Sequence, residues 1–203
     1  MMRLRLRATA LFLPLLLLLL PLSCARSPGG TDSGSGTGPQ LLISMTVKGR
    51  IRPDYFYYVL FNNAGDTSGA NGPIPVVTAP YGNGFASGAF TQYLEYNQSQ
   101  PNAGYEMYAV VPNTGLRQSQ PLGAPLQFTP VQTGGSTIQF RIPISQLATT
   151  AIPAGSIKNL QINFLATNVV PTDPNYTGTK LFDALGNSTE IGSINDYLTI
   201  PTT

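Results

Sequence analysis

The sequence predicts an all-β domain, an antiparallel two-sheet sandwich of jelly-roll type with about eight strands. Three observations lead there. Charged residues make up only 10% of the chain, while 21 Gly and 18 Pro punctuate short runs rich in Tyr, Phe, Val, Ile and Thr, which is the composition of many short strands joined by turns. The runs themselves are five to seven residues long, the ordinary length of a strand. Past residue 40 no stretch carries a sustained helical period with caps.

In chain order, residues 1–23 read as a secretory signal. Arg3, Arg5 and Arg7 precede an apolar stretch from Ala8 to Leu22, broken only by Thr9, Pro14 and Pro21, with small residues after it. As a permanent span the stretch is poor, because roughly 20 apolar residues are needed to cross the hydrocarbon and prolines interrupt this one. Leu20-Pro21-Leu22-Ser23-Cys24 resembles the bacterial lipoprotein box, in which a small residue precedes a cysteine that is acylated on sulfur and becomes the mature N-terminus. That resemblance makes Cys24, the only cysteine, a lipidation site. It departs from the family at Pro21 and Leu22, where Leu and a small residue are usual, and Ser23-Cys24-Ala25 also fits an ordinary small-x-small cleavage site. Residues 24–39 form a tether that after Arg26 is Gly, Ser, Thr and Pro with a single Asp, too polar to pack and flexible enough to hold a domain off a membrane. A tether of this kind favours the anchored protein.

Residues 40–203 form the sandwich domain. Leu41–Val47 alternates apolar Leu41, Ile43, Met45 and Val47 with Leu42, Ser44 and Thr46, a strand with one face turned in and the other facing out or packed more loosely. Tyr55–Phe61, "YFYYVLF", is apolar on both faces and predicts a central strand covered on each side. Phe90–Tyr96, Tyr105–Val111, Leu126–Val131, Thr137–Ile142, Leu160–Ala166 and Asp196–Ile200 complete the set. The predicted core is Ile43, Met45, Tyr57, Val59, Leu94, Met107, Ala109, Phe128, Ile138, Phe140, Ile142, Leu160, Ile162 and Phe164. A short helical turn is expected at Ile144–Leu147. The run "IQFRIPISQL", followed after about a dozen residues by "LQINFLAT", resembles the late strands of the sandwich shared by family-nine carbohydrate-binding modules and DOMON-like domains. The resemblance covers about a third of the chain; it implies the sandwich and says little of the ligand.

Composition excludes several chemistries. There is no histidine, so Ser-His-Asp triads, Cys-His dyads and histidine metal sites are absent. Without the signal's three arginines, eight basic residues face nine acidic ones, a side-chain charge of −1. No basic stripe is left for nucleic acid. Lysine-assisted serine chemistry stays formally open, though no Ser-x-x-Lys occurs, and a carboxylate pair is the catalytic device the composition readily permits, as in glycoside hydrolysis, with Asp54, Asp66, Glu95, Glu106, Asp173, Asp183, Glu190 and Asp196 as candidates. Glu95 and Glu106 lie mid-strand on runs that are candidate neighbours, either facing each other or lining the solvent face opposite Leu94 and Met107.

The longest stretches without a predicted strand, Asn62–Ala89 and Asn168–Ser193, are where a site is expected. In the first, Tyr81, Asn83 and Phe85 are candidate ligand contacts, and the competing use of the same residues is turn formation and coverage of the sandwich end. Asn62, Asp66 and Asp183 are the oxygen donors for a possible Ca²⁺; no other cofactor is expected, and the EF-hand spacing is missing. For Asp183 in "KLFDALGNSTEIG" a turn cap competes with cation binding. The preferred function is a non-catalytic envelope lipoprotein, anchored to the membrane by its lipid, whose sandwich binds a glycan, a peptide or an envelope protein. A structural envelope component without a small ligand is the rival, and a carboxylate-dependent glycosidase stands third.

Overall fold

The computed structural model describes residues 38–63, 72–111, 118–173, 175–185 and 196–202. The predicted signal, Cys24, most of the tether, Asp66 and Glu190 lie outside the described residues. The strands among the described residues are β1 (Gln40–Thr46), β2 (Phe56–Asn62), β3 (Ile74–Pro75), β4 (Ala86–Ser87), β5 (Gln92–Tyr96), β6 (Tyr105–Val111), β7 (Gln118–Gly123), β8 (Gln127–Thr129), β9 (Thr137–Pro143), β10 (Asn159–Thr167), β11 (Phe182–Ala184) and β12 (Leu198–Pro201). All pairings are antiparallel. A small sheet runs β1-β9-β8 and a large one β11-β10-β2-β5-β6-β7, with β12 beside β11 along the outer edge of β10. The protein is an all-β sandwich.

Strand β2 explains the layering. Its residues alternate between two apolar clusters: Tyr57, Val59 and Phe61 join one, and Tyr58 and Leu60 the other. The first cluster lies between the sheets, where Ile43, Ile138, Phe140 and Ile142 of the small sheet meet Leu94, Tyr105, Met107, Leu160 and Ile162 of the large one. Tyr105 stacks on Phe128 at 4.9 Å and donates its hydroxyl to the Thr129 carbonyl at 2.7 Å, which seats β8 over β6. The second cluster lies on the other face of the large sheet, where Phe85, Ala86 and Phe90 cover Tyr58, Leu60 and Tyr93. The β3–β4 hairpin brings that cover in, and the Val76 N–H donates to the Phe85 carbonyl at 2.9 Å.

Each of the eight predicted runs contains a strand, and Ile144–Leu147 is a 3-10 turn closing β9. Four short strands escape sequence reasoning. β3, β4 and β11 are two or three residues long and carry no readable alternation. β7, "QSQPLG", is exposed along most of its length and contains a proline. Of the predicted core, Met45, Phe128, Phe164 and Ala109 are only half-buried. The rest of that set is fully buried.

Phe140 sits at 1% exposure in the middle of the inter-sheet core, whereas Phe164 is half-buried beside it. Phe140→Ala is expected to cost about 3–5 kcal/mol in urea unfolding, and Phe164→Ala clearly less because part of its ring already meets solvent.

Candidate functional site

The sandwich is open along the side where β1, the edge of the small sheet, passes β10 and β11 at the edge of the large one. A cleft of about 310 Å³ lies there, lined by Ser44–Lys48 on one wall and Phe164, Ala166 and Asp183–Leu185 on the other. Met45, Val47 and Phe164 pack against the core below it. The backbone of β1 supplies the rim. The Val47 N–H donates to the Ser136 carbonyl and the Ile144 N–H to the Pro39 carbonyl, so the odd-numbered residues of this strand bond to β9. By the alternation of antiparallel pairing, Leu42, Ser44 and Thr46 turn their N–H and C=O groups to the free edge. Sequence reasoning missed this site because residues 41–47 and 160–166 read as ordinary strands and residues 183–185 as part of a strandless stretch; the available signal was that residues 40–47 hold neither a charge nor a proline.

The three residues proposed as ligand contacts are separated by their packing. Phe85 is buried, its ring stacked on Tyr58 at 4.2 Å, so the core takes up that face. The Asn83 side-chain oxygen accepts from the Phe85 and Ala86 N–H groups at 3.1 and 2.9 Å and shapes the turn into β4. Tyr81 is half-buried, edge-on to Tyr176, with the Lys180 ammonium 5.3 Å from its ring centre. Lys180 also donates to the carbonyls of Val76 and Gly84, joining residues 76–85 to the segment before β11. Gly84 is required at this junction. Its φ is +90°, and a Cβ would lie 2.5 Å from Val170 and 2.8 Å from the Pro171 carbonyl. Burial pushes the Lys180 ammonium down to about 8.

Glu95 and Glu106 are direct cross-strand partners on the face opposite Leu94 and Met107, as one of the sequence expectations had it. That face is not open to solvent there. Glu106 is buried and spent on structure: one carboxylate oxygen accepts the Gly123 N–H and the other the Asn102 amide, both at 3.0 Å. Gly123 lies where the β6–β7 register shifts, so the carboxylate satisfies a donor that the irregular ladder leaves free. Glu95 accepts from Gln100 at 2.9 Å, and burial raises its pKa.

The proposed cation ligands do not converge. The Asn62 amide is buried and donates to Gln161 at 2.7 Å, while Asp183 pairs with Ala166 in β11, five positions further along β10 or about 17 Å. They also lie on opposite faces of the sheet. Asp183 is a mid-strand residue, so the expected turn cap is corrected: its carboxylate makes no hydrogen bond among the described residues and borders the cleft instead. No group of three or more metal-binding side chains occurs among the described residues. The end of the core near Asn63 and Gln92 is polar. Their amides donate to the Leu147 and Ala148 carbonyls, and their buried side-chain oxygens have no partner among the described residues.

Comparison of the chain with protein-family models, with curated proteins and with solved structures found no match.

Two outcomes follow from this geometry. Asp183→Ala is expected to leave the unfolding free energy within about 0.5 kcal/mol of wild type, because the carboxylate is exposed and holds nothing. Lys180 loses its proton near pH 8 in the folded chain and near 10.5 when unfolded. The unfolded chain therefore binds more protons between those values, and this residue makes stability rise with pH across that window. The urea midpoint of wild type relative to Lys180→Met, measured from pH 7 to 10.5, should climb above about pH 8.

Proposed function

We propose that the chain is a non-catalytic, exported lipoprotein of the bacterial envelope, held to the membrane through Cys24 and working by binding a partner through its sandwich. The observation that carries the binding role is the open cleft beside β1, which joins apolar walls to unpaired backbone groups. The aromatic rings favour a protein partner over a sugar. Among the described residues no aromatic side chain is exposed, and the largest, such as Tyr58, Tyr105 and Phe61, are core. Sugar recognition by stacking works best on an open ring platform, whereas the cleft offers only the half-buried Phe164. The tether of residues 24–39 leads directly into β1, so a partner engaged there is held at a distance from the bilayer set by a flexible chain.

Replacing Cys24 with serine should move the protein from the membrane pellet to the soluble fraction or leave an unprocessed precursor. A soluble wild-type protein beginning at Ala25 or later would end the anchored reading. For the binding role, a photo-crosslinking residue in place of Leu42, exposed on β1, should give a discrete protein adduct in intact cells, and one in place of Leu122 on β7 should give none. No adduct at Leu42 would overturn it.

A further inference from the structure

Edge strands of a sandwich offer unpaired backbone groups to any passing chain, and proteins blunt them with prolines, charges, bulges or extreme shortness. All the outer edges of the two main sheets except one follow this rule. β7 carries Pro121 and a register shift; β8 has three residues between Pro125 and Pro130. β11 has three residues with Asp183 at its centre, and β12 has four, ending in Pro201. β1 is the exception. It has seven residues and contains no charge, proline or register shift, while Leu42 is exposed at 59%. Among the described residues the N–H and C=O groups of Leu42, Ser44 and Thr46 have no backbone partner, and those of Ser44 and Thr46 border the 310 Å³ cleft.

We infer that this edge accepts one extended peptide segment of a partner protein as a fourth strand of the small sheet, with alternate side chains of the segment filling the cleft. The inference rests on the binding role proposed above and names the site and the kind of partner. Backbone groups presented at every second residue are matched by an extended chain, and main-chain bonds then supply affinity while the cleft supplies specificity. Peptide side chains opposite Met45 and Val47 point inward, against Phe164 and Ala166, and are apolar. Asp183 and Lys48 line the same cleft without an ion-pair partner among the described residues. A basic residue of the segment beside Ala166 meets Asp183.

Other occupants fit less well. Residues 25–37 of the chain itself offer mainly Gly, Ser and Thr where apolar side chains are needed. A second copy paired through β1 would share only this seven-residue edge, about 23 Å long, a narrow contact beside the roughly 800 Å² per partner of a stable interface. A segment of five to seven residues matches that edge in length.

The test uses the full chain in detergent and an acetylated, amidated six-residue peptide alternating threonine with valine and ending in lysine. Binding is read by fluorescence anisotropy. Methylating alternate amide nitrogens in one frame should weaken binding at least tenfold, and methylating the other frame should leave it nearly unchanged, because only one set faces β1. Ser44→Pro should weaken binding similarly; it gives up an N–H that bonds nothing in the fold, and an unchanged melting curve checks that the fold survives. Asp183→Lys should weaken the lysine peptide and favour one ending in glutamate. Equal effects of the two methylation frames would overturn the inference. Wild type that ignores the peptide would overturn it too, while a persisting adduct at Leu42 would keep the broader binding role. A dimer in sedimentation that Ser44→Pro dissolves would overturn it and assign the edge to a second copy.

Discussion

Residues 56–62 are covered on both faces of one strand, with Tyr57, Val59 and Phe61 turned to one side and Tyr58 and Leu60 to the other. A strand of this kind needs apolar material above and below it, at about 25 cal/mol for each square ångström removed from water. The small sheet supplies one cover and residues 72–90 the other. Residues 72–90 are therefore a third layer of the fold. Phe85 is its anchor on Tyr58, and Asn83 and Lys180 hold the backbone that delivers it.

The small sheet is three strands wide and the large one six, so the two cannot be flush at both sides. β8 is seated over β6 by Tyr105, which leaves β7 beyond the overlap at one side. At the other side β1 ends the small sheet above β10 and β11, and the cleft is the space between the two edges. Its chemistry follows from that position. The inward residues of both sheets make the walls apolar, and the last strand of a sheet always has one row of backbone groups without a partner.

Most polar groups that resemble catalytic or ligating residues are consumed by irregularities of the fold. Glu106 serves the shifted ladder at Gly123, Asn62 serves Gln161, and Asn97 bridges the Tyr55 carbonyl and the turn before β6. A buried donor left without an acceptor costs about 1–3 kcal/mol, so in a chain with few charges each such group becomes structural. Asp183 and Lys48 differ because they stand at the open side, where solvent satisfies them.

The alternation of residues 41–47 and the two-sided apolar run at 55–61 were legible because a strand's two faces take alternate residues, a pattern that needs no knowledge of its neighbours. For the same reason the all-β class and the central place of β2 were determined by the sequence alone, and the short helical turn expected at Ile144–Leu147 is a 3-10 turn. Phe85 and Asn83 could not be sorted into core and turn from their order in the chain, since their roles depend on Tyr58 lying beneath them. The cleft was decided only by tertiary structure. Its walls come from residues 44–48, 164–166 and 183–185, and contacts of that span, like the Asn62–Gln161 bond across 99 positions, reflect which strands pair and which are left at an edge. Local side-chain pattern tells a strand which face to bury; its place in the sheet is set by competition among all the strands for the same backbone partners.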